Sequence, residues 1–263
     1  MIYFELSMKK KIIVGNWKMN PATASEAKVI VAGIKRTALK LSKVTVVLCP
    51  PYIYFSDAIK TAGKGKLAIG VQDIFYEVAG SYTGEVSPVM VANAGGTYAI
   101  VGHSERRRLG ESDSIIAKKV SAGLTAGLNV VLCIGEHTRD EHGVYLAFIH
   151  EQLLGALSKV SKKFLKRLII AYEPVWAIGR SDKDAITPRL LHEMVIYIRK
   201  VLTDEYGEDI GRHIPVLYGG SVFVNNAKQF LDEGKADGLL VGRESLKPAE
   251  FSTILKLAHE VRV

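Results

Sequence analysis

The amino-acid sequence predicts an α/β fold, a closed (β/α)8 barrel of eight parallel strands ringed by helices. Short apolar runs rich in β-branched residues recur at fairly even spacing, and segments with helical periodicity lie between them. The length of 263 residues also fits, because such barrels occupy about 250 residues as one unit. We therefore expect one barrel domain over 9–263, preceded by a short extension at 1–8.

The predicted strands are hydrophobic almost without interruption, as strands covered by helices on one face and packed inside a barrel on the other must be. They are 11–17, 44–50, 67–73, 98–103, 129–136, 167–174, 214–220 and 237–242. An open doubly wound sheet also alternates strands with helices, but it rarely needs eight strands of such similar character. The pattern therefore favours a closed sheet.

Four helices are predicted at 24–41, 114–126, 144–163 and 188–206, where apolar residues recur at intervals of three and four. Thr187 before Pro188 is a typical helix start, a capping side chain followed by proline at the first helical position. Barrels of this kind place their chemistry at the carboxyl ends of the strands and in the loops that follow. Functional residues are therefore expected there.

The composition is that of an ordinary globular protein, with 48% hydrophobic and 24% charged residues. A formal net charge of +8 raises the question of a nucleic-acid partner, and the runs 9–11, 106–108 and 162–167 are basic. These runs are far apart and contain a single aromatic residue, Phe164, so we interpret them as solvated faces. We expect neither a nucleic-acid partner nor a membrane partner.

The two cysteines, Cys49 and Cys133, lie inside apolar runs without the spacing of a metal site or of a disulfide framework. At the N-terminus the apolar residues precede the lysines, which is the reverse of a secretory signal. We therefore expect an untargeted protein of the reducing cytoplasm.

Polar residues follow several of the predicted strands. They are Asn16, Lys18, His103, Glu105, Glu136, Glu173, Ser221 and Gly242. One histidine or glutamate at a strand end is usually a structural hydrogen-bonding group. Several of them converging on one rim of a barrel are more typical of an active site.

Six segments around these residues resemble, in the same order, the signature segments of the triosephosphate isomerase family, whose fold is the TIM barrel. They are VGNWKMN (14–20), VGHSERR (101–107), CIGE (133–136), AYEPVWAIG (171–179), YGGSV (218–222) and DGLLVG (237–242). The resemblance extends from Lys11 to Leu257. It implies interconversion of dihydroxyacetone phosphate and D-glyceraldehyde 3-phosphate through an enediolate, in glycolysis and gluconeogenesis, with no metal and no organic cofactor.

The resemblance also implies a role for each residue. Glu173 matches the catalytic base, and His103 matches the electrophile, a neutral imidazole at a helix N-terminus as is described for this family. Lys18 would supply a fixed positive charge and Asn16 a neutral donor beside it. Glu105 matches a second carboxylate that either orients Lys18 or assists proton transfer, and the sequence does not separate the two roles.

Phosphate binding is expected from backbone N–H groups of Gly179, Ser221, Gly242 and Arg243, although both glycine-rich segments could also be ordinary turns. A lid is expected over 174–183, where Trp176 and Ile178 give it an apolar underside and Tyr218 and Ser221 hydrogen-bond it when closed. Its family-matched residues are Pro174, Val175, Trp176, Ala177, Ile178 and Gly179. Glu136 would anchor the lid.

The segment SYTGEVS (81–87) resembles the family's protruding third loop, which implies a homodimer in which Thr83 inserts beside Asn16 and Lys18 of a second subunit. Two features depart from the family. The lid's second hinge, 180–188, is about two residues longer and lacks its customary glycine, and Arg243 stands where a second glycine normally follows Gly242. The Arg243 side chain must therefore either point away from the phosphate or meet it.

Two other functions compete with this interpretation. Another phosphate-binding barrel, such as a sugar-phosphate isomerase of amino acid biosynthesis, would rely on paired aspartates at other strand ends. A catalytically silent barrel retained as a basic binding protein would not need the complete set of matched chemical residues.

Overall fold

Eight parallel strands close into a barrel, and each strand pairs with the next along the chain. The structure, a computed structural model, describes residues 10–178 and 186–261. The strands are β1 (Lys11–Asn16), β2 (Val44–Cys49), β3 (Leu67–Val71), β4 (Tyr98–Val101), β5 (Asn129–Ile134), β6 (Leu168–Tyr172), β7 (Val216–Tyr218) and β8 (Gly238–Val241). Strand β1 also pairs with β8. The predicted closed barrel is confirmed, and each strand lies within its predicted run.

Helices cover the outside of the barrel. They are α1 (Ala24–Ala38), α2 (Tyr52–Ala62), α3 (Pro88–Asn93), α4 (Ser104–Arg108), α5 (Asp113–Thr125), α6 (Val144–Leu157), α7 (Pro188–Tyr206), α8 (Glu208–Gly211), α9 (Ala227–Asp232) and α10 (Pro248–Glu260). Short 3-10 turns occupy Lys162–Arg167, Val175–Ala177 and Arg243–Leu246. Of the helices in the described ranges, none is long and apolar enough to cross a membrane.

The ends of two helices differ in how well the local sequence predicts them. Helix α7 has its predicted bounds, and the Thr187 hydroxyl accepts a hydrogen bond from the Leu190 amide at 3.3 Å. Helix α6 ends at Leu157, before its predicted end at 163. There the Ser158 hydroxyl donates to the Gly155 carbonyl at 2.8 Å, a local bond that competes with helix continuation.

Two apolar layers hold the barrel together. The inner layer fills the barrel. Every strand except β3 contributes at least one buried side chain to this layer, and β3 contributes the partly buried Ala68, which packs against it. Its fully buried members are Val14, Val47, Cys49, Ile100, Val131, Cys133, Ile169, Ala171, Leu217 and Leu240. The outer layer lies between strands and helices, as Ile13 on β1 and Ile34 on α1 do. Alternation along each strand therefore buries both faces.

The basic run 106–108 was expected to be a solvated face, and this was wrong for Arg107. The Arg107 side chain is only 15% exposed; it contacts Asp113 at 2.5 Å and donates to the Gly102 carbonyl at 2.8 Å. Arg106 contacts Glu111. Arg108 is 64% exposed, as expected. The charges of this turn therefore hold the loop after β4 in place rather than forming a surface for an acidic partner.

The predicted extension at 1–8 and the lid hinge from Gly179 to residue 185, Arg180 included, lie outside the described residues.

A matched pair of isoleucines on α7 tests the outer layer. Ile198 is fully buried and Ile196 is 55% exposed. We expect Ile198→Ala to lower the free energy of unfolding by about 2–5 kcal/mol, because it leaves a cavity in the packed layer. Ile196→Ala should change it by less than about 0.5 kcal/mol. Urea unfolding at one fixed protein concentration measures both, and equal losses would contradict the assignment of this layer.

Candidate active site

A cavity of about 220 Å³ opens at the carboxyl ends of the strands. It brings together most of the residues that the strand ends predicted, from loops after β1, β4, β6, β7 and β8. Its lining includes Asn16, Lys18, His103, Glu173, Ile178, Ser221, Gly242 and Arg243. Apolar groups such as Leu240 and Leu246 complete the wall. The site is therefore a small, mostly enclosed space of mixed polarity, of the size of a small metabolite.

Lys18 has a left-handed backbone conformation, with φ at 54°, which is uncommon for a residue other than glycine. Two side chains hold it. The Asn16 Oδ1 atom accepts from the Lys18 amide at 3.1 Å, and Gln72 Nε2 donates to the Lys18 carbonyl at 2.8 Å. Gln72, at the end of β3, was missed by the sequence reasoning, although it is a polar residue at a strand end like the others.

The Lys18 ammonium points to Glu105, with Nζ 2.7 Å from Oε1. Partial burial alone would raise the pKa of the Glu105 carboxyl, but the hydrogen bond and charge of Lys18 outweigh it and hold that pKa below its ordinary value. Glu105 therefore carries a negative charge that orients Lys18, although the carboxylate does not line the cavity.

His103 ends the loop after β4 and caps α4. Its Nδ1 atom accepts a hydrogen bond from the Glu105 amide at 3.1 Å. An Nδ1 that accepts must carry its lone pair, so the neutral ring has its proton on Nε2. A proton on Nδ1 would oppose the amide donor. The geometry therefore selects a neutral imidazole that presents an Nε2–H group to the cavity.

Glu173 follows β6 directly and is only 2% exposed. Its Oε1 atom lies 3.3 Å from His103 Nε2, and its Oε2 atom accepts from the Ser104 amide at 3.3 Å. Ser104 was not singled out from the sequence, because it acts through a backbone group that any residue type carries. The carboxylate thus accepts from one backbone amide, away from bulk water and beside the imidazole.

Two glycines make room for Glu173. A Cβ on Gly219 would lie 2.7 Å from the Glu173 Cγ atom, and one on Gly135 would collide with the Glu173 carbonyl. Such contacts are closer than packed carbon atoms allow. The glycine after β7 is therefore needed for the path of the carboxylate side chain, in addition to any role near an anion.

The described part of the expected lid is anchored on its inner side. Glu136 is buried, and its Oε1 atom accepts from the Tyr172 hydroxyl at 2.8 Å and from Trp176 Nε1 at 2.9 Å. The Ser221 hydroxyl donates to the Ala177 carbonyl at 2.8 Å. Of the lid residues, Pro174 to Ile178 are described, and Ile178 lines the cavity.

The turn after β8 forms the opposite wall. A Cβ on Gly242 would lie 3.7 Å from Lys18 Cε, so the Lys18 stem passes close to this turn. Arg243 begins the 3-10 turn, and the first amides of a helical turn have no acceptor within it. Backbone donors and the Lys18 side chain therefore face the same part of the cavity, an arrangement suited to an anion.

Thr83 and Cys133 also lie outside the cavity. Thr83 is exposed in the loop after β3 and does not line the cavity. Cys133 is fully buried in the inner layer, where burial and the nearby Glu173 carboxylate raise the pKa of its thiol. Cys133 therefore packs rather than reacts. Over 10–178 and 186–261, no three His, Cys, Asp or Glu side chains cluster as metal ligands.

The Lys18–Glu105 pair predicts a titration result. Replacing Lys18 with Met should raise the pKa of Glu105, because it removes the ammonium that lies 2.7 Å from the carboxylate. In the wild type the pair stabilises the fold at pH values above 4.5, the ordinary pKa of the Glu105 carboxyl. This stabilisation is lost as the pH falls through the lowered pKa of Glu105 in the folded protein. Carboxyl 13C NMR measures this.

The control is Arg108→Met, because Arg108 Nη2 lies 4.0 Å from the same Oε1 atom. Its effect on the Glu105 pKa should be smaller. An unchanged pKa in Lys18→Met would contradict the pairing.

Known proteins resemble this chain over nearly all of its length. The family model for triosephosphate isomerase matches residues 11–258. The triosephosphate isomerase of Dehalococcoides mccartyi is 39% identical over 257 residues, which cover 97% of this chain and 100% of that protein. That of Natranaerobius thermophilus is 38% identical over 254 residues, covering 96% and 97%. That of Fusobacterium nucleatum is 39% identical over 254 residues, covering 96% and 100%. The chain belongs to the triosephosphate isomerase family.

Proposed function

We propose that this protein interconverts dihydroxyacetone phosphate and D-glyceraldehyde 3-phosphate, a step of glycolysis and gluconeogenesis, with its own side chains as the only catalytic groups. One observation carries the proposal. A buried carboxylate, Glu173, lies 3.3 Å from the imidazole Nε2 of His103 in a cavity that also contains Lys18. Aldose–ketose isomerisation needs a base, an electrophile and a phosphate grip, and this cavity offers a candidate for each.

Glu173 is the proposed base. Its carboxylate takes a proton from the carbon next to the substrate carbonyl and returns it to the neighbouring carbon. At 2% exposure it is shielded from bulk water, so the proton it takes is not exchanged freely with solvent. The Ser104 amide donates to it at 3.3 Å, a long hydrogen bond that can be given up when substrate enters, and His103 Nε2 lies 3.3 Å from its other oxygen.

His103 and Lys18 are the proposed stabilisers of the enediolate. The Nε2–H of a neutral imidazole donates to the oxygen on which negative charge develops and can pass that proton between the two substrate oxygens. Lys18 adds a fixed positive charge whose direction is set by Glu105 at 2.7 Å. Asn16, 5% exposed, holds the Lys18 backbone and offers its amide group next to it.

The phosphate is proposed to bind the amides of Ser221, Gly242 and Arg243, with Gly179 completing the site from the lid. Ser221 and the turn after β8 line the same cavity. Closure of the lid over 174–183 would exclude water and keep the enediolate from losing phosphate before it is reprotonated. The Glu136–Trp176 and Ser221–Ala177 hydrogen bonds are contacts of the lid with the barrel.

A homodimer is also proposed, with Thr83 inserted beside Asn16 and Lys18 of a second subunit. The loop that carries Thr83 is closed at its base by a 2.9 Å bond from the Phe75 amide to the Val86 carbonyl. Apolar side chains stand exposed at this rim, with Met19 at 94%, Ile53 at the start of α2 at 81% and Tyr82 at 44%. Apolar exposure of this extent is typical of surfaces that meet a partner.

Replacing Glu173 with Gln tests the base. Gln has nearly the same size but cannot accept the proton, so kcat for D-glyceraldehyde 3-phosphate should fall by roughly 10²- to 10⁴-fold. A coupled dehydrogenase assay measures it. The control is Glu151→Gln on an exposed position of α6, which should retain full activity. An inactive wild type, or an active Glu173→Gln enzyme, would overturn the proposed function or its base.

Replacing Thr83 with Glu tests the dimer. A buried, unpaired carboxylate at a subunit contact is costly, so sedimentation equilibrium should show a dimer for the wild type and a shift toward monomer for the variant, with reduced activity. Ile196→Glu carries the same charge at an exposed site near the amino ends of the strands and should remain dimeric. A monomeric, fully active wild type would contradict the proposal.

A further inference from the structure

Arg243 lies at the wall of the cavity, and the proposed function uses its backbone amide but not its side chain. It follows Gly242 after β8, begins the 3-10 turn and is exposed. It also lines the cavity, as Lys18 and Ser221 do. The Lys18 stem passes within 3.7 Å of where a Gly242 Cβ would be. The first residue of this turn therefore lies close to the other cation of the site.

The charges around the cavity leave Arg243 available. The ammonium of Lys18 is held by Glu105 at 2.7 Å. The neighbouring acid, Glu244, is buried and pairs with Lys247 at 3.0 Å. Among the residues the structure describes, no carboxylate comes within 4.0 Å of the Arg243 guanidinium. A free guanidinium at a cavity wall costs nothing to leave hydrated, but it attracts any anion that enters.

The proposed reaction brings a phosphate dianion into a cavity that already holds the Glu173 carboxylate. With Lys18 paired to Glu105, Glu173 would remain as an uncompensated negative charge on the wall, and it would repel the phosphate. A guanidinium on the same wall offsets that repulsion. Its planar fork also matches two phosphate oxygens at once, which a backbone amide does not do.

We propose that the Arg243 side chain is a direct ligand of the substrate phosphate, in addition to the backbone amides of the same turn. The ligand class is a phosphate monoester dianion, and the inference rests on the proposed function. It answers the question that the sequence left open, namely whether this side chain points away from the phosphate or meets it. The affinity for the substrate would then depend more strongly on side-chain charge and on salt concentration than the affinity of a site made only of backbone amides.

The test compares Arg243→Gln and Arg243→Lys with the wild type. Two constants are measured, KM for D-glyceraldehyde 3-phosphate and the inhibition constant of inorganic phosphate. Loss of a charge-assisted contact should raise both about tenfold in Arg243→Gln. Arg243→Lys should lie between, because it keeps the charge and loses the fork. Added KCl should raise KM more steeply in the wild type than in Arg243→Gln.

A second substrate separates a phosphate contact from a structural effect. D-glyceraldehyde lacks the phosphate, so Arg243→Gln should reduce kcat/KM far less for it than for the phosphorylated aldose. Arg212→Gln is the matched control, the same substitution at an exposed ion pair with Glu208, and it should leave both constants unchanged. Equal loss for the two substrates, or unchanged KM and phosphate inhibition in Arg243→Gln, would overturn the inference.

Direct binding of inorganic phosphate, followed by calorimetry, keeps this test separate from the proposed function. If the wild type bound phosphate about tenfold more tightly than Arg243→Gln but did not turn over the triose phosphate, the isomerase proposal would fail and the Arg243 contact would stand. If the wild type were an active isomerase and both proteins bound phosphate equally, the contact would fail alone.

Discussion

Parallel pairing between the first and last strands is the constraint on which the site depends. Strand β1 pairs with β8 along Ile12 to Gly15, and this closes the sheet, so no strand edge remains. It also places the loop after β1 next to the turn after β8. Lys18 and Gly242, near opposite ends of the chain, become neighbours only through this pairing. The cation and the candidate anion-binding amides therefore form one site as a consequence of barrel closure.

Burial separates the roles of the two carboxylates near His103. Glu105 has a side chain 41% exposed and a cation at 2.7 Å, so its charge is neutralised locally and it holds a neighbour in place. Glu173 is 2% exposed and has the Ser104 amide, the His103 imidazole and the Cys133 thiol close to it, but no lysine or arginine of the described residues within 4.0 Å. The same functional group is thus paired with a cation at one strand end, and at the other it is buried beside the imidazole, where the proposed chemistry needs a carboxylate.

Much of the fold could be predicted from the sequence because burial on both faces leaves a plain pattern. The strands are continuous apolar runs, and α7 has both a capping threonine and an amphipathic stripe. Strand ends likewise indicated Glu173, His103 and Lys18. The sequence could not indicate that Gln72 holds the Lys18 carbonyl, because the two residues are 54 positions apart. It also did not indicate that Arg107 is largely buried, because a run of three arginines is by itself typical of a solvated face. Helix α6 ends before its predicted end, where the Ser158 hydroxyl donates to the Gly155 carbonyl.

The left-handed backbone of Lys18 lowers the stability of the fold, whereas its ammonium is needed for the proposed activity. A lysine in this region of conformational space costs roughly 1–3 kcal/mol relative to a relaxed residue, and Asn16 and Gln72 keep it there. Glycine would relieve that cost but would remove the ammonium. Selection for heat resistance alone would therefore favour losing the lysine, whereas selection for turnover would retain it. A library screened only for folded, soluble protein would be expected to accumulate inactive variants at this residue first.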